Sequence, residues 1–243
     1  MTQEADFGEL MRDRLALVQE RNTAALSEVA DVLMERVVEG GGLVLAAGAG
    51  HSFNAVTEAF HRAGGLATVK PLHEPQLLLV NGASSSTAAE RRQGLAAEVL
   101  DRAKPDPGDV LFVFSTSGVN FYPVEMARAA ADRRIPVVAV TSRECNAAAP
   151  ARAGTTLGEE ADHVLDTCVS PGDVAYPPQH PETGALSSLA NTFLWNLLLA
   201  ELHARAAASG RRLPLWRSSN MHGGDEANAG LLEHYGSRIP ELG

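Results

Sequence analysis

The stretch "DVLFVFSTSGVN", Asp109 to Asn120, decides the fold. Val110 to Phe114 is an unbroken apolar run of strand-forming residues, which suits a strand buried on both faces. It runs straight into three hydroxyls, Ser115, Thr116 and Ser117, then Gly118, and one residue later Asn120. A helical pattern follows, "FYPVEMARAAADRR", with Pro123 tolerated in its first turn. A strand, a loop of small hydroxyl residues and a helix make the repeating unit of a parallel sheet.

The same unit recurs on both sides. "LVLAAGAG", residues 43–50, reads as a strand leading into "HSFNAVTEAFHRAGG", a helix stopped by Gly64-Gly65. "LATVKPL", "IPVVAVTS" and "HVLDTCV" read as further strands. Residues 73–84 are irregular, and 85–103 read as one helix with Ser85 or Ser86 as its N-cap. Residues 170–184 hold four prolines and read as a surface loop. Residues 185–210 form a long helix ended by Gly210, and a tail follows with a short helix near 226–235. At the other end, Leu10, Leu17, Leu26, Val29, Leu33 and Val37 recur at helical spacings through 7–38, with Asn22-Thr23 as an optional break. The expectation is an α/β protein with a doubly wound, five-stranded, flavodoxin-like parallel sheet. Residues 1–40 are its N-terminal helical segment and 41–210 its domain. Residues 211–243 are a tail packing on that domain or on a neighbouring subunit.

Composition narrows the function. The 243 residues are 45% apolar, enough for a substantial core. The net charge of −10 argues against nucleic acid held by a basic surface, and leaves room for a locally favoured anion. Cys145 and Cys168 are too few and too far apart for a disulfide framework or zinc site, and no metal or other cofactor is expected. The polar, acidic start "MTQEADFGEL" is unlike a signal peptide, and the apolar run "FLWNLLLAEL" is too short to span a bilayer. The chain reads as cytoplasmic.

Ligands of doubly wound sheets bind outside the carboxyl ends of the strands. Those ends are "GAGHS", "STSGVN" and "TSREC". Hydroxyls, close-approaching glycine backbone and a helix N-terminus together suit a phosphate without any lysine. No GxxxxGK[ST] is present, and "AAGAGHS" lacks the third glycine of GxGxxG, so neither an NTPase nor a dinucleotide fold is indicated.

"LVLAAGAGHS", "DVLFVFSTSGVN", "IPVVAVTS" and "ADHVLDTCV", in this order and spacing, resemble the sugar isomerase (SIS) domain over about residues 30–210. "EAFHRAGGLATVKPLHEP" and the tail "SSNMHGGDEAN" are similar to a bacterial subgroup loosely labelled phosphoheptose isomerases, and within it to actinobacterial enzymes that dehydrate N-acetylglucosamine 6-phosphate. The resemblance implies that Ser115, Thr116, Ser117 and Asn120 hold a phosphate, with Asn120 standing where relatives carry threonine. It implies that Gly50 and Ser52 contact the sugar or phosphate, and that Ser187 and Ser188 reach the sugar's substituents. It also implies a homodimer or higher homo-oligomer.

A base must remove the C2 proton of an opened sugar. His51, Asn54, Glu58 and Arg62 share one face of the helix that begins in the first loop. Glu58 is the first candidate, on that stripe and with support from the resemblance; His51 sits in the loop itself. Glu74 in "LHEPQ" is its rival, and His222 in "SSNMHGGDE" a third candidate for ring opening or proton transfer. Loss of the C3 oxygen gives a lyase and return of the proton to C1 gives an isomerase. The expected activity is an N-acetylglucosamine-6-phosphate dehydratase, with an aldose–ketose isomerase and a non-catalytic phosphosugar-binding regulator as alternatives.

Overall fold

Residues 6–243 are described by the structure, a computed structural model; the first five residues of the expected N-terminal segment lie outside the described residues. The five strands are β1 (Val44–Gly48), β2 (Val69–Pro71), β3 (Val110–Phe114), β4 (Val137–Thr141) and β5 (His163–Asp166). All pair in parallel, in the order β2-β1-β3-β4-β5. This is the flavodoxin-like order, and its direction reverses between β1 and β3.

The pleat sorts the core into two layers. Val44, Ala46, Val110, Phe112, Phe114, Val138 and Val140 face α1 (Phe7–Leu33), α2 (Phe53–Ala59) and α8 (Ser187–Ala208). The ring of Trp195 on α8 meets Phe112 edge-on, 5.5 Å between centroids. Leu45, Ala47, Leu111, Val113, Val137 and Ala139 face α3 (Ala83–Glu90), α4 (Leu95–Ala103) and α5 (Phe121–Ala131). Every residue of β1, β3 and β4 is buried, which is why these strands read as continuous rather than alternating apolar runs.

The structure departs from the sequence expectation at four places. α1 is unbroken at Asn22. That side chain is buried, with its amide donating to Val18 O at 2.7 Å and Asp166 O at 2.8 Å while Asp166 N donates to its Oδ1 at 2.7 Å. A residue read as a helix breaker thus ties α1 to edge strand β5. α2 stops at Ala59, five residues short of Gly64, because Phe60 turns to an extended backbone and His61 to a positive φ of 45°. Residues 85–103 are two helices, α3 and α4, with Gly94 at φ 81° between them. α3 is capped at Gly82, since Ser85 and Ser86 turn their hydroxyls to Gly82 O and Leu77 O. Two short helices, α6 (Arg143–Ala148) and α7 (Leu157–Glu160), fill the connection between β4 and β5.

The tail packs against its own domain. Leu215 bridges antiparallel to Leu66, Trp216 and Ile239 are buried, and Arg238 reaches Asp109 at 2.7 Å. α9 (Gly224–Tyr235) opens with Asp225 and Glu226, acids that suit a helix N-terminus. Among the described residues no helix is long and apolar enough to cross a membrane.

Candidate functional site

An open cleft of about 340 Å³ lies at the carboxyl ends of β1 and β3, at the point where strand order reverses. Its first wall is the β1–α2 loop, Gly50, His51 and Ser52. Gly48 ends β1 so close to the returning chain that a Cβ there would lie 2.9 Å from Ser52 O.

The second wall is Ser115, Thr116 and Ser117. This loop is fixed from behind. Thr116 O accepts from Ser142 N and Thr141 Oγ1, Ser117 O from the Asn146 amide at 2.8 Å, and Gly118 O from Leu157 N at 2.7 Å. Gly118 has φ 60°, and a Cβ on it would come within 2.5 Å of Asn146 Nδ2, so only glycine fits. Thr116 Oγ1 is buried with no hydrogen-bond partner among the described residues.

The third wall does not stand out in the sequence. Ser86, Thr87 and Glu90 stand on α3 at helical spacing and line the cleft, with Leu79 from the turn before them. Their signal is a polar stripe, hidden when 85–103 is read as one helix whose start is a mere cap. Glu90 is half-buried. The far side is closed by Gly172, Asp173, Ser187 and Cys145.

Asp173 bonds the N–H groups of Leu186 and Ser187 at 3.0 and 2.9 Å and the Ser187 hydroxyl at 2.5 Å, so it caps α8 and takes up that serine. Burial pushes the Cys145 thiol above its ordinary value, and its Sγ donates to Val169 O at 3.3 Å. A neutral, engaged thiol is packing, not a nucleophile.

Of the residues singled out in the sequence, Gly50, His51, Ser52, Ser115, Thr116, Ser117 and Ser187 come together in this cleft. Five do not line it. Glu58 points to Arg62, at 2.5 Å, just past the end of α2. Glu74 is 6% exposed and held at 2.7 Å by Arg102, with Gln76 N–H and amide on its other oxygen. Burial alone would raise its carboxyl, but Arg102 and Gln76 outweigh that and hold it below the ordinary carboxylate range. Asn120 accepts from Arg152 at 3.1 Å, Ser188 lies outside the lining, and His222 is exposed in the turn before α9. The cleft's carboxylates are therefore Glu90 and the engaged Asp173, and no lysine or arginine lines it among the described residues.

A model of the SIS domain matches residues 6–142, which span β1 to β4 and both donor loops. This chain belongs to the SIS domain family. It is 34% identical over 236 residues to a UPF0309 protein of Geobacillus thermodenitrificans, covering 96% of this chain and 94% of that one. UPF0309 protein SCO4393 of Streptomyces coelicolor is 38% identical over 220 residues, covering 87% of each. Among solved structures, phosphoheptose isomerase GmhA from Neisseria gonorrhoeae superposes with a TM-score of 0.54 at 20% identity, covering 81% of this chain and 94% of that one. The sugar isomerase domain of an RpiR transcription factor from Sphaerobacter thermophilus gives a TM-score of 0.53 at 17% identity, covering 94% and 95%. At these identities the SIS structures share the fold.

Proposed function

We propose that this SIS protein is a phosphosugar lyase that removes the C2 proton of an amino-sugar 6-phosphate and expels the C3 hydroxyl, the reaction of an N-acetylglucosamine-6-phosphate dehydratase. The observation that carries the phosphate half is the fixed Ser115–Gly118 loop, whose Ser115, Thr116 and Ser117 line the cleft. Ser52, Ser115, Thr116 and Ser117 hold the phosphate by neutral hydrogen bonds, stiff enough to fix the sugar's register.

The chemistry falls to the opposite wall. Glu90 is the cleft carboxylate without a protein partner among the described residues, and it takes the C2 proton of the open-chain aldehyde. The electron pair forms an enolate with the C1 carbonyl. It then returns to make the C2–C3 double bond as the C3–O bond breaks, and His51 supplies the proton with which that oxygen leaves as water. With a 2-hydroxy sugar phosphate, return of the proton to C1 instead would make the same site an aldose–ketose isomerase.

The protein acts as a homodimer in this reading, because Phe7 and Leu189 stand 40% and 50% exposed where α1 and the start of α8 meet the surface. Light scattering should then show a particle above 25.6 kDa. The deciding experiment for the activity is a panel of sugar 6-phosphates in D2O read by NMR. Loss of the C3 oxygen, with deuterium entering C2 of the recovered substrate, supports the lyase, and a ketose product makes it an isomerase. Binding with neither exchange nor product leaves a ligand-binding module and overturns the proposal.

A further inference from the structure

The other end of the sheet carries a second concavity. α8 begins in the cleft at Ser187, while its last turn, Ala206 and Ala207, lines an open bowl of about 530 Å³. The helical rise between Ser187 and Ala207 puts the two roughly 30 Å apart. Arg211, Arg212, Arg217 and His203 surround the bowl, with Trp216 buried in its wall.

In a chain of net charge −10 this is a local inversion of sign. Some arginines elsewhere pair with carboxylates, as Arg92 does with Glu98, Arg128 with Glu160 and Arg205 with Asp31, and others are solitary, but among the described residues no other cavity gathers three of them. Among the described residues Arg212 and Arg217 form no ion pair, and Arg211 has only Glu39, at 3.9 Å.

The backbone beneath these side chains is fixed. Gly64 N donates to Trp216 O at 2.9 Å, Trp216 N to Gly65 O at 3.0 Å and Ala67 N to Pro214 O at 2.8 Å. The buried side chain of Asn228 clamps Arg217, accepting from its N–H and donating to its carbonyl, both at 2.9 Å. Cations are favoured at the C-terminal end of a helix, which accounts for Arg211 and Arg212 after α8. That effect fades within a turn, so it does not account for Arg217, held in place by a separate clamp.

We propose that the bowl is a second anion site, built for a small metabolite bearing two or more phosphate or other anionic groups. Guanidinium forks bind such oxygens in pairs, and the volume is that of a small-molecule pocket. This stands apart from the activity assigned to the cleft, which shares none of these residues.

Pyrophosphate is a suitable probe, titrated by calorimetry into the full chain, into Ser117→Ala, and into Arg212→Ala/Arg217→Ala. The parent should show two binding events. Ser117→Ala should weaken one, and the double arginine variant should weaken the other by at least about tenfold. The arginine event should also weaken as salt is raised. Arg217→Lys keeps the charge and loses the fork, so it should weaken that event while keeping the parent's melting temperature, which separates binding from folding. A single event that Ser117→Ala abolishes overturns the proposal, as does a double variant that binds like the parent. A double variant with unchanged anion binding and a smaller particle would make the bowl a contact between copies, and the proposal would fall.

Discussion

The two long walls of the cleft are built in opposite ways. Every carbonyl from Thr116 to Val119 is bonded by a donor from another segment: Ser142, Asn146, Leu157 and Arg152. The facing segment, Pro75 to Arg92, is held mostly by its own short-range bonds, such as Asn81 N to Leu78 O and Ser86 Oγ to Leu77 O. At its tip Val80 stands 91% exposed. The contrast teaches a division of labour. The wall that must fix a phosphate is tied to the core, and the wall carrying Glu90 has freedom to adjust over the sugar.

The largest effect should come from the looser wall. Glu90→Gln keeps shape and cannot accept a proton. Its kcat should fall about 10²–10⁴-fold with KM little changed, measured as turnover of the amino-sugar phosphate. A drop confined to KM would move Glu90 from chemistry to binding and erase the contrast.

The fixed wall should be the costlier one to deform. Gly118→Ala meets both a positive φ and the Asn146 amide, and should lose about 2–4 kcal/mol in denaturant unfolding. Gly94→Ala, in the turn that ends the looser wall, at φ 81° with open space around it, should lose about 1 kcal/mol. Equal losses would mean that the two walls are equally constrained.

Removing a donor from the fixed wall without deforming it should cost binding alone. Ser117→Ala should raise KM about 10–100-fold for a 6-phosphate sugar and leave weak binding of the unphosphorylated sugar unchanged. Parallel losses for both sugars would sever Ser117 from the phosphate.

The smallest effect lies at the root of the looser wall, where Arg102 holds Glu74. Because this carboxyl is held below its ordinary value of 4.5, its contribution to stability is complete above that pH and lost as pH falls through the lowered value. Arg102 is 56% exposed, so the contribution should be about 1 kcal/mol or less. Glu74→Gln should flatten the fall of melting temperature below pH 4.5, and an unchanged slope would remove Glu74 from the acid response.

The sheet and the fixed wall are legible because each is local in sequence. Val110 to Phe114 announces a buried strand, and the hydroxyls and glycine of Ser115 to Gly118 announce a ligand loop at its end. The looser wall is not legible, because its position depends on Gly94 breaking a helical pattern and on Gly82 opening α3, both at positive φ. Glu58 reads as a cleft residue by helical spacing, yet Arg62, beyond the end of α2, draws it away. Glu74 reads as a strand-end acid, and its commitment to Arg102, far away in sequence, cannot be seen from spacing. Asn22 reads as a break for the same reason, since its partner is Asp166. Periodicity reports which face a residue takes, and not which distant side chain will claim it.

The central claim is that Glu90, on the looser wall, moves the C2 proton. It is tested most directly by incubating the parent, Glu90→Gln, Glu58→Gln and Glu74→Gln with N-acetylglucosamine 6-phosphate in D2O and following the C2 hydrogen by NMR. The account predicts exchange in the parent and in both the Glu58 and Glu74 variants, and none above background in Glu90→Gln. Exchange that persists in Glu90→Gln and vanishes in Glu58→Gln or Glu74→Gln would contradict it.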